Sequence, residues 1–231
     1  MKLGILQCGH APDPVAQKHG DFDHMFTQLL APYGYSYEVW NVVDMDFPDG
    51  PEAADAWLLT GSKHGAYEDH PFIPPLEALI RDIHVSGRRM LGICFGHQII
   101  AKALGGTVEK FKGGWSIGRT AYDIPALGHI HLNAWHQDQV TTLPKGAEVV
   151  GQNDFCANAA LVYGDSILTI QPHPELSPAI IADYLAARAH DPAYPQDRIA
   201  AALDENTKPT DDARFAELMA GFLEHGREAL T

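Results

Sequence analysis

In the first half of the chain, short and nearly continuous apolar runs alternate with segments of helical period. Leu3 to Gln7 predicts a first strand. Val15 to Ala31 predicts a helix, with Phe22, Phe26, Leu29 and Leu30 on one stripe and Pro32 and Gly34 as the stop. Tyr35 to Val42 predicts a second strand, and Trp57 to Thr60 a short third one running into Gly61-Ser62. Ile73 to Ser86 predicts a helix entered through proline-rich sequence, and Gly87 separates it from the buried strand Met90-Leu91-Gly92-Ile93. Buried strands with helices between them define an α/β domain with parallel strands at its centre. Beyond Gly106 the texture changes to close-spaced segments at 107–111, 116–123, 129–134, 147–152, 159–163 and 167–171, expected as antiparallel strands and hairpins. Helices follow at 178–190, 196–204 and 211–227, with the Asn206 to Thr210 break marking the last as an add-on. With no repeats or long linkers, the expected organisation is a domain over residues 1–190. A helical extension, 191–231, is expected to pack on it through Phe215, Leu218, Phe222 and Leu223.

Composition narrows the function classes. Sixteen Lys and Arg against 30 Asp and Glu give a net charge of −14, which argues against nucleic acid or an anionic membrane surface as a partner. Apolar residues at 45% and charged residues at 20% are those of an ordinary soluble protein. Cys8, Cys94 and Cys156 are odd in number and widely spread, so no disulfide framework is expected. The Met1 to Cys8 start turns polar too early for a signal peptide, and no apolar run reaches membrane-spanning length, so the expected location is cytoplasmic. The 13 histidines show no Cys-x-x-Cys or His-Glu-x-x-His pairing, and no metal is expected.

The segment Gly92-Ile93-Cys94-Phe95-Gly96-His97-Gln98 reads as a strand that delivers a cysteine to a sharp turn opening a helix, a nucleophile elbow. Its flanking glycines permit close backbone approach, and a helix N-terminus offers positive potential to a thiolate, the attacking form of the group. Taken alone, a lone cysteine is better explained as a small core hydrophobe. Gln171-Pro172-His173-Pro174-Glu175 supplies what a thiol nucleophile needs. It follows the strand at 167–170, and its prolines favour an extended segment in which His173 and Glu175 point the same way. Gly61-Ser62, at another strand end, can aim backbone N–H groups at an oxyanion together with the N–H of Phe95.

Together these motifs resemble the class I glutamine amidotransferases. The elbow fits Gly-x-Cys-x-Gly-His-Gln, and His173-Pro174-Glu175 fits the family's His-Pro-Glu motif about 80 residues later. The resemblance covers roughly residues 1–185. It implies a three-layer, flavodoxin-like fold, a central mostly parallel sheet flanked by helices with a smaller antiparallel sheet. It also implies Cys94 as nucleophile, His173 as base, Glu175 as its orienter, and Gly61 and Phe95 as oxyanion donors. Gln98, Ser62, Trp115, Ser116 and His136 are implied as substrate-pocket residues, and no metal or organic cofactor is called for. Ser62-Lys63-His64 replaces the Gly-Pro type of turn found in many biosynthetic members, and Gln171-Pro172 stands where an aromatic often precedes the histidine. Both departures point to a stand-alone branch similar to the GMP synthase amidotransferase domain and the γ-glutamyl peptidases.

That resemblance leaves the fate of the amine open. The chain carries no Gly-x-x-x-x-Gly-Lys-[Ser/Thr] loop with which to activate an acceptor. Either a separate synthase receives ammonia, or the chain alone hydrolyses glutamine or a γ-glutamyl small molecule, with Lys63, His64, Tyr67 and Glu68 shaping the choice. The competing class is a non-catalytic binding or regulatory protein on the same fold.

Overall fold

Strands whose every side chain is apolar must be covered on both faces, and that requirement organises the molecule. The computed structural model describes residues 1–231. Five parallel strands form its centre: β1 (Lys2–Leu6), β2 (Ser36–Trp40), β3 (Ala56–Leu59), β4 (Arg89–Ile93) and, far along the chain, Ile167–Ile170. Numbered in chain order, the remaining strands are β5 (Thr107–Lys110), β6 (Ser116–Ile124), β7 (Gly128–His136), β8 (Asp138–Thr142), β9 (Ala147–Gly151) and β10 (Ala160–Tyr163), which makes Ile167–Ile170 β11. The main sheet runs β2-β1-β3-β4-β11-β10-β9, with β10 and β9 added antiparallel at one edge.

Successive residues on the central strands feed opposite layers. Leu3, Ile5, Leu58, Leu91, Ile93, Leu168 and Ile170 join Phe26 and the C-terminal Phe215, Met219 and Phe222 in one apolar cluster. Leu6, Trp57, Leu59, Met90 and Ile167 join Leu76, Ile80, Ile99 and Ile100 in the other. The first layer contains α2 (Phe22–Leu29) and α7 (Asp212–His225); the second contains α3 (Ile73–Ser86) and α4 (Phe95–Ala103). The remaining helices are α1 (Asp13–His19), α5 (Pro178–Arg188) and α6 (Gln196–Glu205). None of the helices is long and apolar enough to cross a membrane. The last helix is part of a main core: Phe222 is fully buried, and Arg89 at the start of β4 donates from Nη1 to the Leu223 carbonyl at 3.0 Å.

Several expectations need correction. The single helix at 15–31 is two helices, because Gly20 adopts φ 80° and Asp21 turns its carboxylate onto the Phe22 and Ala11 amides, capping α2. The strands at 147–171, expected as antiparallel strands and hairpins, all join the main sheet, and the last of them has a parallel partner. β11 lies parallel to β4 and antiparallel to β10, so these strands extend the main sheet. The small antiparallel elements are two ladders, β6-β7 and β5-β8. β8 escaped the sequence pattern because Asp138-Gln139-Val140-Thr141-Thr142 has a single strongly apolar residue, and β7 continues past Ala134 to include Trp135 and His136.

Candidate active site

The strand order brings distant residues to one edge. In register, Leu59 pairs with Gly92 and Ile93 with Ile170, so β3, β4 and β11 end side by side with Gly61, Cys94 and Gln171 just beyond them. This carboxyl edge of parallel strands is where α/β proteins bind ligands.

Cys94 sits on the turn between β4 and α4 with φ 52° and ψ −102°, a conformation that side-chain-bearing residues rarely adopt. Three backbone bonds hold it there: Cys94 N–H to Ile170 O at 2.8 Å, Gly96 N–H to Thr60 O at 3.1 Å, and Gln98 N–H to Cys94 O at 3.0 Å. Gly96 is required by contact, since a Cβ there would lie 2.4 Å from the Leu59 carbonyl oxygen. α4 begins at Phe95, directly after the nucleophile, so the Phe95 N–H is among the first-turn donors that have no intrahelical partner.

His173 and Glu175 are joined directly, Nδ1 to Oε1 at 2.6 Å, and both side chains are out of water. The His173 N–H donates to the Asn133 carbonyl at 2.8 Å, and Asn133 Nδ2 donates to Leu176 O at 2.7 Å. β7 thus clamps both ends of the His-Pro-Glu segment, a support that its two prolines alone do not supply. Burial opposes a charged imidazole, yet the Glu175 carboxylate and the Cys94 sulfur more than offset it, and His173 holds its proton well above the ordinary imidazole range. With Nδ1 given to Glu175, Nε2 is left for the sulfur.

Gly61 packs against this pair. A Cβ at Gly61 would fall 2.9 Å from His173 Cε1 and 3.9 Å from Cys94 Cβ, and its N–H is not used in the chain's backbone bonding. A sulfur on a strained elbow, an imidazole oriented through Nδ1 and unused N–H groups nearby form an arrangement able to attack a carbonyl and stabilise its oxyanion.

In front of Cys94 opens a cleft of about 720 Å³. Ser62, Gln98, Trp115 and His136 line it. Gln98 is anchored by Nε2 bonds to Asp138 O and Gln171 Oε1, both at 3.0 Å, and His136 is pushed down to about 3 by burial and is neutral. Ser116 falls elsewhere: it borders a smaller neighbouring cavity with Thr120 and Ala202. Lys63, His64, Tyr67 and Glu68 border the cleft too. Sequence reasoning missed its far wall, in which Tyr184, Arg188 and Tyr194 bring the α5 region against Trp115 and Trp135, with Trp135–Tyr184 ring centroids 4.8 Å apart. Nothing in the helical period of 178–190 marked Tyr184 as facing a cleft. Asp212, the first residue of α7, was missed as well; burial and the nearby Glu175 charge push it up to about 7.

The fold is that of an α/β protein with helices on both faces of a mostly parallel sheet and a candidate site at the sheet's carboxyl edge. Residues 19–188 match the family Glutamine amidotransferase class-I, and the chain belongs to that family. A glutamine amidotransferase-like protein of Schizosaccharomyces pombe is 27% identical across 96% of this chain and 98% of its own length. Gamma-glutamyl peptidase 2 of Arabidopsis thaliana is 26% identical across 98% of this chain and 97% of its own. The solved structure of a glutamine amidotransferase from Thermotoga maritima superposes with a TM-score of 0.75 over 99% of this chain and 97% of that one, at 21% identity, which establishes the shared fold.

Proposed function

We propose that this protein hydrolyses a γ-glutamyl amide through a Cys94 thioester, with a γ-glutamyl compound larger than glutamine as substrate. The observation that carries the reading is the buried 2.6 Å His173–Glu175 pair set beside a cysteine on a strained elbow. The Cys94 thiolate adds to the δ-carbonyl carbon, and the oxygen's new charge is met by the Gly61 and Phe95 N–H groups. Each such donor contributes about 3 kcal/mol to the transition state. The tetrahedral adduct collapses as His173 passes its Nε2 proton to the departing amine, leaving a thioester. Water then attacks that carbonyl while His173 takes up its proton, and glutamate leaves with the thiol restored. Glu175 holds the ring in the tautomer that presents Nε2 and stabilises its charge.

Two observations favour a substrate with an extended leaving group. The cleft has the size that accommodates a drug-sized ligand, and an aromatic wall of Trp115, Trp135, Tyr184 and Tyr194 lines one side of it. A relative covering nearly the whole chain is named a γ-glutamyl peptidase. The test is glutamate release from glutamine, γ-glutamyl dipeptides and γ-glutamyl alkyl- and arylamines, wild type against Cys94→Ala. Release from the peptides or amines that Cys94→Ala abolishes is expected. Equal release by both proteins, or none from any substrate, refutes the hydrolase. Release confined to glutamine and dependent on added cell extract refutes the stand-alone reading and points to a separate synthase as the ammonia acceptor.

A further inference from the structure

The loop that leaves Gly61 carries a cluster that the triad does not use. One ligand-capable atom from each of His64, Glu68 and His70 lies within 4.8 Å of the other two. His70 Nε2 is 2.8 Å from Glu68 Oε2, His64 Nδ1 is 3.8 Å from the same oxygen, and the two imidazole centroids are 4.0 Å apart. Around a tetrahedral zinc ion with bonds of 2.0–2.2 Å, neighbouring donor atoms stand about 3.4 Å apart. The two nitrogen-to-oxygen distances bracket that value, so small side-chain rotations bring all three onto one ion. The spacing His-x-x-x-Glu-x-His is neither the helical pair nor the knuckle sought in the sequence, which is why the pattern gave no sign of it.

The scaffold beneath the cluster is firm. The Glu68 N–H donates to Gly65 O at 3.0 Å and the Ile73 N–H to His70 O at 3.1 Å, closing turns on both sides. Both imidazoles pack on the Phe72 ring, with centroids at 5.8 and 5.9 Å, and Phe72 packs on Phe95, the residue after the nucleophile, at 6.0 Å. His64 and Glu68 also border the cleft, so an ion they hold adjoins the substrate space.

We propose that His64 Nδ1, Glu68 and His70 Nε2 form a binding site for one divalent transition-metal ion of the zinc class on the rim of the substrate cleft. Two imidazoles and one carboxylate match borderline ions such as zinc and cobalt(II). Calcium and magnesium prefer all-oxygen sets. Three protein ligands leave a fourth position for water or for a donor atom of a molecule in the cleft. The ion would tie the loop after Gly61 to the elbow through Phe72 and Phe95.

The test is made on the full chain carrying Cys94→Ala, so that the reactive thiol cannot itself bind metal and turnover plays no part. Its outcome is therefore independent of the proposed reaction. Zinc is titrated calorimetrically, and cobalt(II) is added as a spectroscopic probe. The expected result is one ion per chain, a four-coordinate cobalt absorption spectrum, and a rise in melting temperature with zinc. Adding His70→Ala or, separately, His64→Ala weakens binding by more than roughly tenfold, as loss of a ligand does. Both side chains are partly exposed, and unchanged melting of the metal-free variants verifies that they fold. No stoichiometric binding overturns the proposal. Binding that neither substitution alters overturns it equally, since the ion then sits elsewhere, for instance at His10 with Asp21 and Asp44.

Discussion

A single methyl group at Gly61 tests how tightly the candidate triad is set. In Gly61→Ala the new Cβ meets His173 Cε1 at 2.9 Å, against the 3.5–4.0 Å that two carbons prefer. The backbone at Gly61 is outside the left-handed region, so alanine adds no conformational strain, and the N–H assigned to the oxyanion is retained. Relief has to come from the ring or the loop. The ring is held at Nδ1 by Glu175 and its backbone is held by Asn133, so a shift of about 0.6–1 Å strains the 2.6 Å bond or moves Nε2 relative to the sulfur. Misplacement of about 1 Å costs about a hundredfold in rate, or about 2.7 kcal/mol in the barrier. The assay is kcat/KM for glutamate release, with melting temperature as the control for folding and iodoacetamide alkylation of Cys94 as a report on the sulfur–imidazole pair. Turnover within threefold of wild type, with a normal melt, would refute the claim that Gly61 is needed for its contact with His173.

Two further substitutions act through charge. Glu175→Gln removes the carboxylate that keeps the His173 proton in place, so the alkaline limb of the rate profile, where the imidazolium is lost, moves to lower pH. With the ring's tautomer no longer fixed, kcat falls by roughly 10³–10⁴. An unshifted alkaline limb contradicts the assigned cause. Asp212 is raised from 3.8 to about 7 by burial and by Glu175. The folded state therefore binds a proton that the unfolded state has already released between those values, and stability falls as pH rises from about 4 to about 7. The shift corresponds to at most about 4 kcal/mol at 1.36 kcal/mol per unit, and solvent screening of a partly exposed carboxyl reduces this to about 1–2 kcal/mol. Asp212→Asn keeps an acceptor for the Thr210 hydroxyl, 2.7 Å away in the wild type, and should be the more stable protein at pH 8 but not at pH 4 by urea denaturation. Parallel pH profiles for the two proteins count against it.

What the sequence made legible was local. The β4 run, the glycines around Cys94 and the boundaries of α3 are written in contiguous residues, and the helix predicted at 73–86 is the helix observed. The His-Pro-Glu segment was legible as chemistry, but its clamp was not, because Asn133 lies 40 residues away on a strand whose pattern predicted an end at Ala134. The Val15 to Ala31 misreading has the same origin: apolar spacing continues through Gly20-Asp21, while the cap that breaks the helix depends on where the Asp21 carboxylate turns. Tyr184, Arg188 and Tyr194 reach the cleft because the α5 region folds back across Trp115 and Trp135, and tertiary packing of that kind leaves no trace in periodicity. His64, Glu68 and His70 come together because turns, and not a helix or strand, set their spacing.

The elbow itself separates function from stability. A residue with a Cβ held at φ 52°, ψ −102° stores about 1–3 kcal/mol, sustained here by the bonds to Ile170, Thr60 and Gln98. Glycine is free of that strain but gains more disorder on unfolding, a loss of about 0.5–1 kcal/mol relative to alanine. At the midpoints of those ranges, less about 0.8 kcal/mol for the buried Cβ that glycine also loses, Cys94→Gly should exceed Cys94→Ala in stability by about 0.5 kcal/mol. Both variants lack the thiol at a site only 6% exposed, and glycine additionally gives up the buried Cβ, worth about 0.8 kcal/mol, so that loss enters the comparison. Urea midpoints at equal m-values measure it. If Cys94→Ala is the more stable by about 1 kcal/mol or more, the elbow is not strained, and the rigidity of the candidate nucleophile must come from side-chain packing of Phe95 and Ile93 instead.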